Sequence, residues 1–466
     1  VLKVSYYWDK LADFAEKFGI IITLALLPID RLPYIHYTPF GLGLISLILL
    51  LVASTRRLLD IVVTGNWQKM KRYLFVGFLL MLPSVGYGIS SFYAIDHSYA
   101  LSATKSLLAV CLRAFCFFVL VLENPALWRL IRKTIYIVTA AVVSFGFLQF
   151  VLDVFGVSPR LTDLRGCCTS NSTYVFPRVY STALEPLYFD HFLMIPLWLL
   201  TFDFWRNKNT RSNRHLQILF IATASLFILT IARSATVSLI LAGLIFLWGM
   251  GGIRRHRELI NFLAKAWGKA LLSALVLILF SGMIAIFIPK NARYNDTGFG
   301  SLKLFGGHAV DVNDGSAHTR YDLWPKSVSL IESHPLEGVG ANNSRIELNI
   351  EKYRQGAAPN RLQPFNNDLI ALAVDLGLLA LVFFGPLFAF LLRAFYQLFK
   401  KGWNSIAAPF ALILVGMLIQ GNFFQSLLLT RLWVVIGLLL AFLYAPAFNQ
   451  ASASQKRIVG KKKTDG

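Results

Sequence analysis

A succession of apolar runs, each near the length of a bilayer-crossing helix and separated from the next by a polar connector, constrains this chain more than any other feature. A helix rises about 1.5 Å per residue, so about 20 residues cross the roughly 30 Å of hydrocarbon, where each backbone amide must be satisfied within the segment. Such runs occupy residues 18–32, 39–53, 73–93, 101–122, 131–155, 185–204, 216–231, 235–250, 271–288, 369–390, 407–424 and 432–444. The chain therefore reads as all-α, a polytopic integral membrane protein with about twelve transmembrane helices. Composition agrees: 15% of residues are charged, against about 25% in soluble domains.

Orientation follows from where the cations fall, because Lys and Arg that closely flank a span are retained on the cytoplasmic side. Arg56, Arg57, Lys69, Lys71 and Arg72 follow the second run, and Arg129, Arg132 and Lys133 the fourth. Arg206, Lys208, Arg211 and Arg214 follow the sixth run, and Arg254, Arg255 and Arg257, with Lys265 and Lys269, the eighth. Lys400 and Lys401 follow the tenth, and Lys461, Lys462 and Lys463 lie in the tail. Every second connector is basic, which predicts that both termini are cytoplasmic. The formal net charge of +21 is thus a topology signal, and nucleic acid is excluded as a partner. The expected organisation is 1–288 with spans 1–9, a large loop at 289–367 on the opposite face, 368–447 with spans 10–12, and a basic tail at 448–466.

Chemistry is expected on the face opposite the basic connectors. Two connectors there are substantial: 153–184, which carries Arg160, Asp163, Arg165, Cys167, Cys168 and Arg178, and 289–367. A loop of about 80 residues is long enough to imply a function of its own. Within it Trp324, Val328 and Ile331 recur at helical spacing ahead of Ser333, His334 and Pro335, which predicts an amphipathic helix over 319–332 lying on the membrane surface.

Arg233 closes the tight hairpin between the seventh and eighth runs on this face. An arginine at a span end can snorkel to the headgroups. The basic bias belongs to the other side, however, and a planar guanidinium matches the forked oxygens of a phosphate. Arg320 supplies a second guanidinium, which either pairs with Asp322 or Glu332 or completes a clamp with Arg233. Arg113 lies near the middle of its run, where an unpaired charge costs about 3 kcal/mol; Glu185, Asp190, His191 and Asp375 are its candidate partners. His36, His97, His191, His308, His318 and His334 are the imidazoles on the reactive face available for proton transfer. The four Cys form two close pairs, Cys111 with Cys116 and Cys167 with Cys168, which fit neither a disulfide framework nor a zinc site. No P-loop, nucleophile elbow or paired-aspartate motif occurs, so no cofactor is predicted.

Three segments resemble the O-antigen ligase and O-antigen polymerase superfamily, membrane enzymes that join glycans at the periplasmic face. Thr230-Ile231-Ala232-Arg233-Ser234-Ala235 is similar to its Ser-Arg-Ser/Gly-Ala hairpin. Arg320-x-x-x-Trp324, followed by Ser333-His334-Pro335-Leu336-Glu337-Gly338-Val339-Gly340, resembles the Arg-x-x-x-Trp and His-Pro-Leu-x-Gly-Val-Gly signature of the large loop. Asn366-Asn367-Asp368-Leu369 with Asp375-Leu376-Gly377-Leu378 looks like the His-Asn-x-x-Leu and Glu-Leu-Gly-Leu start of the next helix.

The resemblance implies a glycan donor carried on undecaprenyl diphosphate in the bacterial inner membrane. The glycan would pass, without metal or nucleotide, to a glycan or lipid A core acceptor. Arg233 and Arg320 would stabilise the charge that grows on the departing diphosphate. Arg178, Trp324, His334, Asn366 and Asn367 would join the arginines in binding substrate, and His318 and Glu185 are the remaining catalytic candidates. One departure bears on mechanism: Asn366 stands where ligases of the superfamily carry His, and a neutral amide cannot act as a general base. Leu184-Glu185-Pro186-Leu187-Tyr188-Phe189 is similar to the Ser-Glu-Pro-x-x-Phe start of a span in polysaccharide polymerases. Both points favour a polymerase while leaving a ligase open. Two other classes compete: a transporter or flippase of lipid-linked sugars, for which a mid-span charge such as Arg113 is expected, and a noncatalytic scaffold, in which Arg233 and Arg320 would be dispensable.

Overall fold

A computed structural model describes residues 2–29, 40–154, 179–183, 185–206, 211–251, 256–287, 315–359, 362, 367–401 and 405–444. Regular structure among them is entirely helical. The chain runs through α1 (Leu2–Leu26), α2 (Phe40–Val63), α3 (Trp67–Ser90), α4 (His97–Glu123), α5 (Leu127–Val154) and α6 (Pro186–Arg206). It continues with α7 (Arg214–Leu229), α8 (Arg233–Gly249), α9 (Arg257–Phe287), α10 (Gly315–Ser333), α11 (Ser344–Glu347) and α12 (Ile350–Arg354). It ends with α13 (Asp368–Leu376), α14 (Leu379–Phe383), α15 (Gly385–Lys401), α16 (Ala407–Gly421) and α17 (Thr430–Tyr444). Among the described residues, six segments are long and apolar enough to cross a membrane: Gly41–Val63, Trp67–Ser90, His97–Glu123, Leu127–Leu152, Pro186–Arg206 and Arg257–Phe280. The apolar helices α7, α8, α16 and α17 are shorter.

The helices fall into two compact units. In the first (Val1–Ile20, Ser46–Trp128 and Gly315–Gly466), α4 packs along α3 and α17. A Cβ on Gly437 of α17 would stand 2.3 Å from the carbonyl oxygen of Ala114 on α4. Such close backbone approach is how apolar helices associate where lipid removes the hydrophobic drive. Two carboxylates of this unit, the buried Glu16 and the half-buried Glu123, pair with cations of the basic connectors. Arg57 donates to Glu16 at 2.9 Å, Asn124 reaches the same carboxylate at 2.9 Å, and Lys69 meets Glu123 at 2.6 Å. These pairs also explain why α1 begins at Leu2 and not near residue 18, where the first apolar run starts: its acidic residues face Arg56 and Arg57 of α2, with Arg56 2.8 Å from Asp9.

In the second unit (Ile21–Ile45 and Arg129–Asp314), α6 packs against α7, α8 and α9. Aromatic side chains fill the contacts, Phe204 against Phe220 at 5.8 Å and Trp198 against Phe246 at 5.6 Å. Asp203 near the end of α6 accepts from Arg132 at 3.2 Å and from Tyr136 at 2.7 Å.

Two elements differ from the sequence expectation. The apolar stretch 369–390 is three consecutive helices, α13, α14 and α15, and not one. The break falls at Gly377, whose φ of +56° ends α13 and whose neighbours are bonded to the preceding loop. The helix expected over 319–332 is present as α10 and is longer than expected; Trp324 and Val328 are 56% and 40% exposed, while Ser327 is buried.

Candidate active site

In the second unit only Thr230, Ile231 and Ala232 separate α7 from α8, so the chain must reverse within three residues. It does so through Ile231 at φ +54°. A β-branched side chain in the left-handed region crowds the following carbonyl, at a cost of about 1–2 kcal/mol. The surrounding contacts hold this conformation. The Thr230 N–H donates to the Leu226 carbonyl at 3.0 Å, and the Thr230 hydroxyl lies 2.5 Å from the Asp190 carboxylate and 2.7 Å from the Phe227 carbonyl. Asp190 and the adjacent His191, on α6, are fully buried. The strained turn delivers Arg233, half-buried, as the first residue of α8. A cation there opposes the helix dipole, so helix stability does not account for it; the first-turn N–H groups of a helix have no intrahelical acceptor and favour an anion. Glu185 is exposed and directly precedes Pro186, which occupies the first position of α6.

In the first unit, two of the segments singled out by sequence are bonded to each other. The N–H groups of Val339 and Gly340 donate to the carbonyls of Val374 and Asp375, both at 2.9 Å. In return Leu378 donates to Pro335 at 2.8 Å and Leu379 to Leu336 at 3.3 Å. The glycines follow from this backbone-on-backbone contact. A Cβ on Gly338 would lie 2.4 Å from the Asp375 carbonyl, and one on Gly377 2.7 Å from the Pro335 oxygen.

Two carboxylates of the first unit, Asp375 and Asp96, then tie the loop to the helices, and a third, Asp368, ties α13 to the connection between α16 and α17. Asp375 accepts the N–H groups of Asn342 and Ser344, each at 2.9 Å. Asp368 accepts the Ser426 N–H at 2.9 Å, the Ser426 hydroxyl, and the Leu427 N–H at 3.4 Å. Asn343 accepts the Asp96 N–H at 3.0 Å, and the Asp96 carboxylate takes the Tyr99 N–H at 2.9 Å, the Ser98 hydroxyl at 2.8 Å and the Tyr353 hydroxyl at 3.2 Å. Partial burial pushes the Asp96 carboxyl up, but the hydrogen bonds from Tyr99, Ser98 and Tyr353 outweigh it and hold the group below the ordinary carboxylate value. None of these long-range contacts shows in local sequence; only the positions of polar residues beside apolar runs hint at them.

Of the residues expected to act, Arg233 and Glu185 belong to the second unit, and Trp324, His334 and Asn367 to the first. His334 is half-exposed with Nδ1 3.8 Å from Glu337, and Asn367 caps α13 by accepting the Ile370 N–H at 3.0 Å. His318 and Arg320 lie in the first turns of α10, where the backbone alone is described. Arg178, Asn366, Cys167 and Cys168 lie outside the described residues. Cys111 and Cys116 are buried free thiols.

No curated protein matches this chain. Residues 218–385 match the O-antigen ligase family, a segment that takes in the Arg233 hairpin, α10, and both halves of the loop-to-helix interlock. The chain is a multi-pass membrane protein, and over residues 218–385 it is similar to the O-antigen ligase family.

Proposed function

We propose that the protein transfers glycan from an undecaprenyl-diphosphate-linked donor to the hydroxyl of a glycan acceptor, at the periplasmic face of the bacterial inner membrane and without metal or nucleotide. Both termini would then be cytoplasmic, with about twelve spans in all. The family match over 218–385 carries this reading, because it embraces both the hairpin that presents Arg233 and the loop helix that contains Arg320.

As the glycosidic bond breaks, negative charge accumulates on the leaving diphosphate. Pre-aimed guanidinium groups lower the energy of that state more than that of the bound donor, which is what accelerates the step. Arg233 at the start of α8 adds its guanidinium to the positive end of the helix dipole. Arg320 is the second cation in this proposal, with Arg178, Trp324, His334, Asn366 and Asn367 as further substrate contacts. The acceptor hydroxyl must lose its proton, and Asn366 cannot take it. Glu185, exposed at the head of the helix whose Asp190 meets the hairpin, and His318 are the candidate bases. The missing histidine favours polymerisation over transfer to lipid A core.

Purified protein incubated with undecaprenyl-diphosphate-linked glycan tests this directly. A ladder of longer lipid-linked glycans is the expected product, lost in Arg233→Ala and Arg320→Ala. Transfer to lipid A core would make it a ligase; passage of lipid-linked sugar across vesicles with no new glycosidic bond would overturn the enzymatic reading.

A further inference from the structure

In the first unit, three half-buried polar side chains from separate segments are linked around the start of α13. Arg345, on α11, donates from Nη2 to the side-chain oxygen of Gln425 at 2.8 Å. Gln425 adjoins Ser426, whose N–H and hydroxyl hold Asp368, and Asp368 follows Asn367. Asn367 accepts the Ile370 N–H through its own side-chain oxygen. These bonds fix the amide orientations, because only the oxygen can accept from a guanidinium or a backbone N–H. Gln425 and Asn367 both turn their oxygens to the protein. Their NH2 groups have no partner among the described residues.

Arg345 is likewise held without a direct ion pair among the described residues. Asp375 is near enough to attract it, but both Asp375 oxygens accept backbone N–H groups, and the Asp368 oxygens are occupied by Ser426 and Leu427. Among the described residues Arg345 forms no salt bridge, and its Nε–H is shielded from solvent without an acceptor. Burying a guanidinium costs desolvation free energy that an ion pair ordinarily offsets. A neutral amide in place of that pair orients the cation and leaves its charge for something else.

We propose that Arg345, Gln425 and Asn367 form a subsite for an anionic oxygen of the glycan substrate, a carboxylate or phosphate borne on a sugar. The cluster offers hydrogen-bond donors and one positive charge, with its acceptors already used, so the complementary ligand is rich in acceptor oxygens and negatively charged. The two amides suit sugar hydroxyls and the guanidinium suits the acidic substituent. The inference rests on the glycan-transfer reading and adds to it a preference for acidic sugars.

The test uses the full chain in nanodiscs of neutral phosphatidylcholine, with binding of sodium glucuronate, glucose 1-phosphate and glucose followed by saturation-transfer NMR. Wild type is expected to bind at least one of the two acidic sugars about tenfold more tightly than glucose, consistent with a charge-assisted contact. Arg345→Gln should abolish that preference with an unchanged melting temperature. Preference for glucuronate assigns a carboxylate, and preference for glucose 1-phosphate a phosphate. Should Arg345→Gln melt early, Gln425→Leu, which keeps the cation but removes the group that holds it, is expected to reduce the preference. Equal binding of all three sugars by wild type, or full preference kept by Arg345→Gln or Gln425→Leu, overturns the proposal. Binding needs no turnover, so an intact preference in a protein that transfers no glycan refutes the functional reading alone.

Discussion

The Thr230 hydroxyl stands 2.5 Å from the Asp190 carboxylate, and this contact joins α6 to the turn that presents Arg233. Ile231 sits within that turn at φ +54°. Thr230→Val removes the anchor, at a cost of about 1–3 kcal/mol for a buried polar contact, and should lower turnover because the turn relaxes away from its strained form. Ile231→Gly removes the steric cost of about 1–2 kcal/mol and should raise the unfolding midpoint. Thermal unfolding in detergent and steady-state transfer rates measure both. A Thr230→Val protein that melts and turns over like wild type would show that the contact does not set the turn.

The interlock between the loop and α13 makes two glycines unequal to others of similar backbone. Gly377→Ala meets the Pro335 oxygen at 2.7 Å as well as an unfavourable φ of +56°, whereas Gly356→Ala, at φ +89°, meets open space. The Gly356 change should cost about 1–3 kcal/mol from backbone strain alone, and the Gly377 change distinctly more. Limited proteolysis of the loop should separate them, with Gly377→Ala cleaved faster. Similar cleavage of both variants would contradict the interlock.

Asp96 lends the fold a pH dependence of defined sign. Its carboxyl is held below the ordinary value, so its stabilising contribution is present above the unfolded value of about 4 and is lost as pH falls through the lower folded value. The gap in unfolding midpoint between wild type and Asp96→Ala should stay constant from about pH 7 to pH 5 and narrow below about pH 4. A gap that widens on acidification would reverse the assignment.

At Arg233 the shape of the cation should matter as well as its charge. Loss of one donor aimed at developing charge costs about a hundredfold in rate. Arg233→Ala should therefore lose that factor or more, and Arg233→Lys should recover only part of it, because a point charge lacks the guanidinium fork. Full recovery in the lysine variant would argue for charge alone. The measurement is the initial rate of glycan transfer at saturating donor.

Much of this organisation is legible in the residues themselves, for identifiable reasons. The α7–α8 hairpin is visible because two apolar runs leave almost nothing between them, and Arg233 stands out as a charge placed there. The loop helix α10 is visible because Trp324, Val328 and Ile331 keep its period. The break after α13 is hidden, since Gly377 lies in an apolar stretch and its cause is a set of carbonyls on residues about 40 positions earlier in the chain. The contact of the Asp190 carboxylate with the Thr230 hydroxyl is hidden because the two residues lie far apart in sequence. Arg345 and Gln425 lie in no recognisable motif, and their meeting depends wholly on tertiary packing.

The divided helix also bears on how the protein is assembled. At nine residues α13 is about 14 Å long, roughly half a bilayer, and its last carbonyls, those of Val374 and Asp375, accept the N–H groups of Val339 and Gly340. Those two donors are synthesised first. The segment beginning at Asp368 is therefore completed by contacts with backbone from earlier in the chain, and its placement depends on docking to protein as well as on partition into lipid. Biogenesis of this half of the molecule is ordered in time: a loop that has not yet folded leaves the following helix without the groups that terminate it.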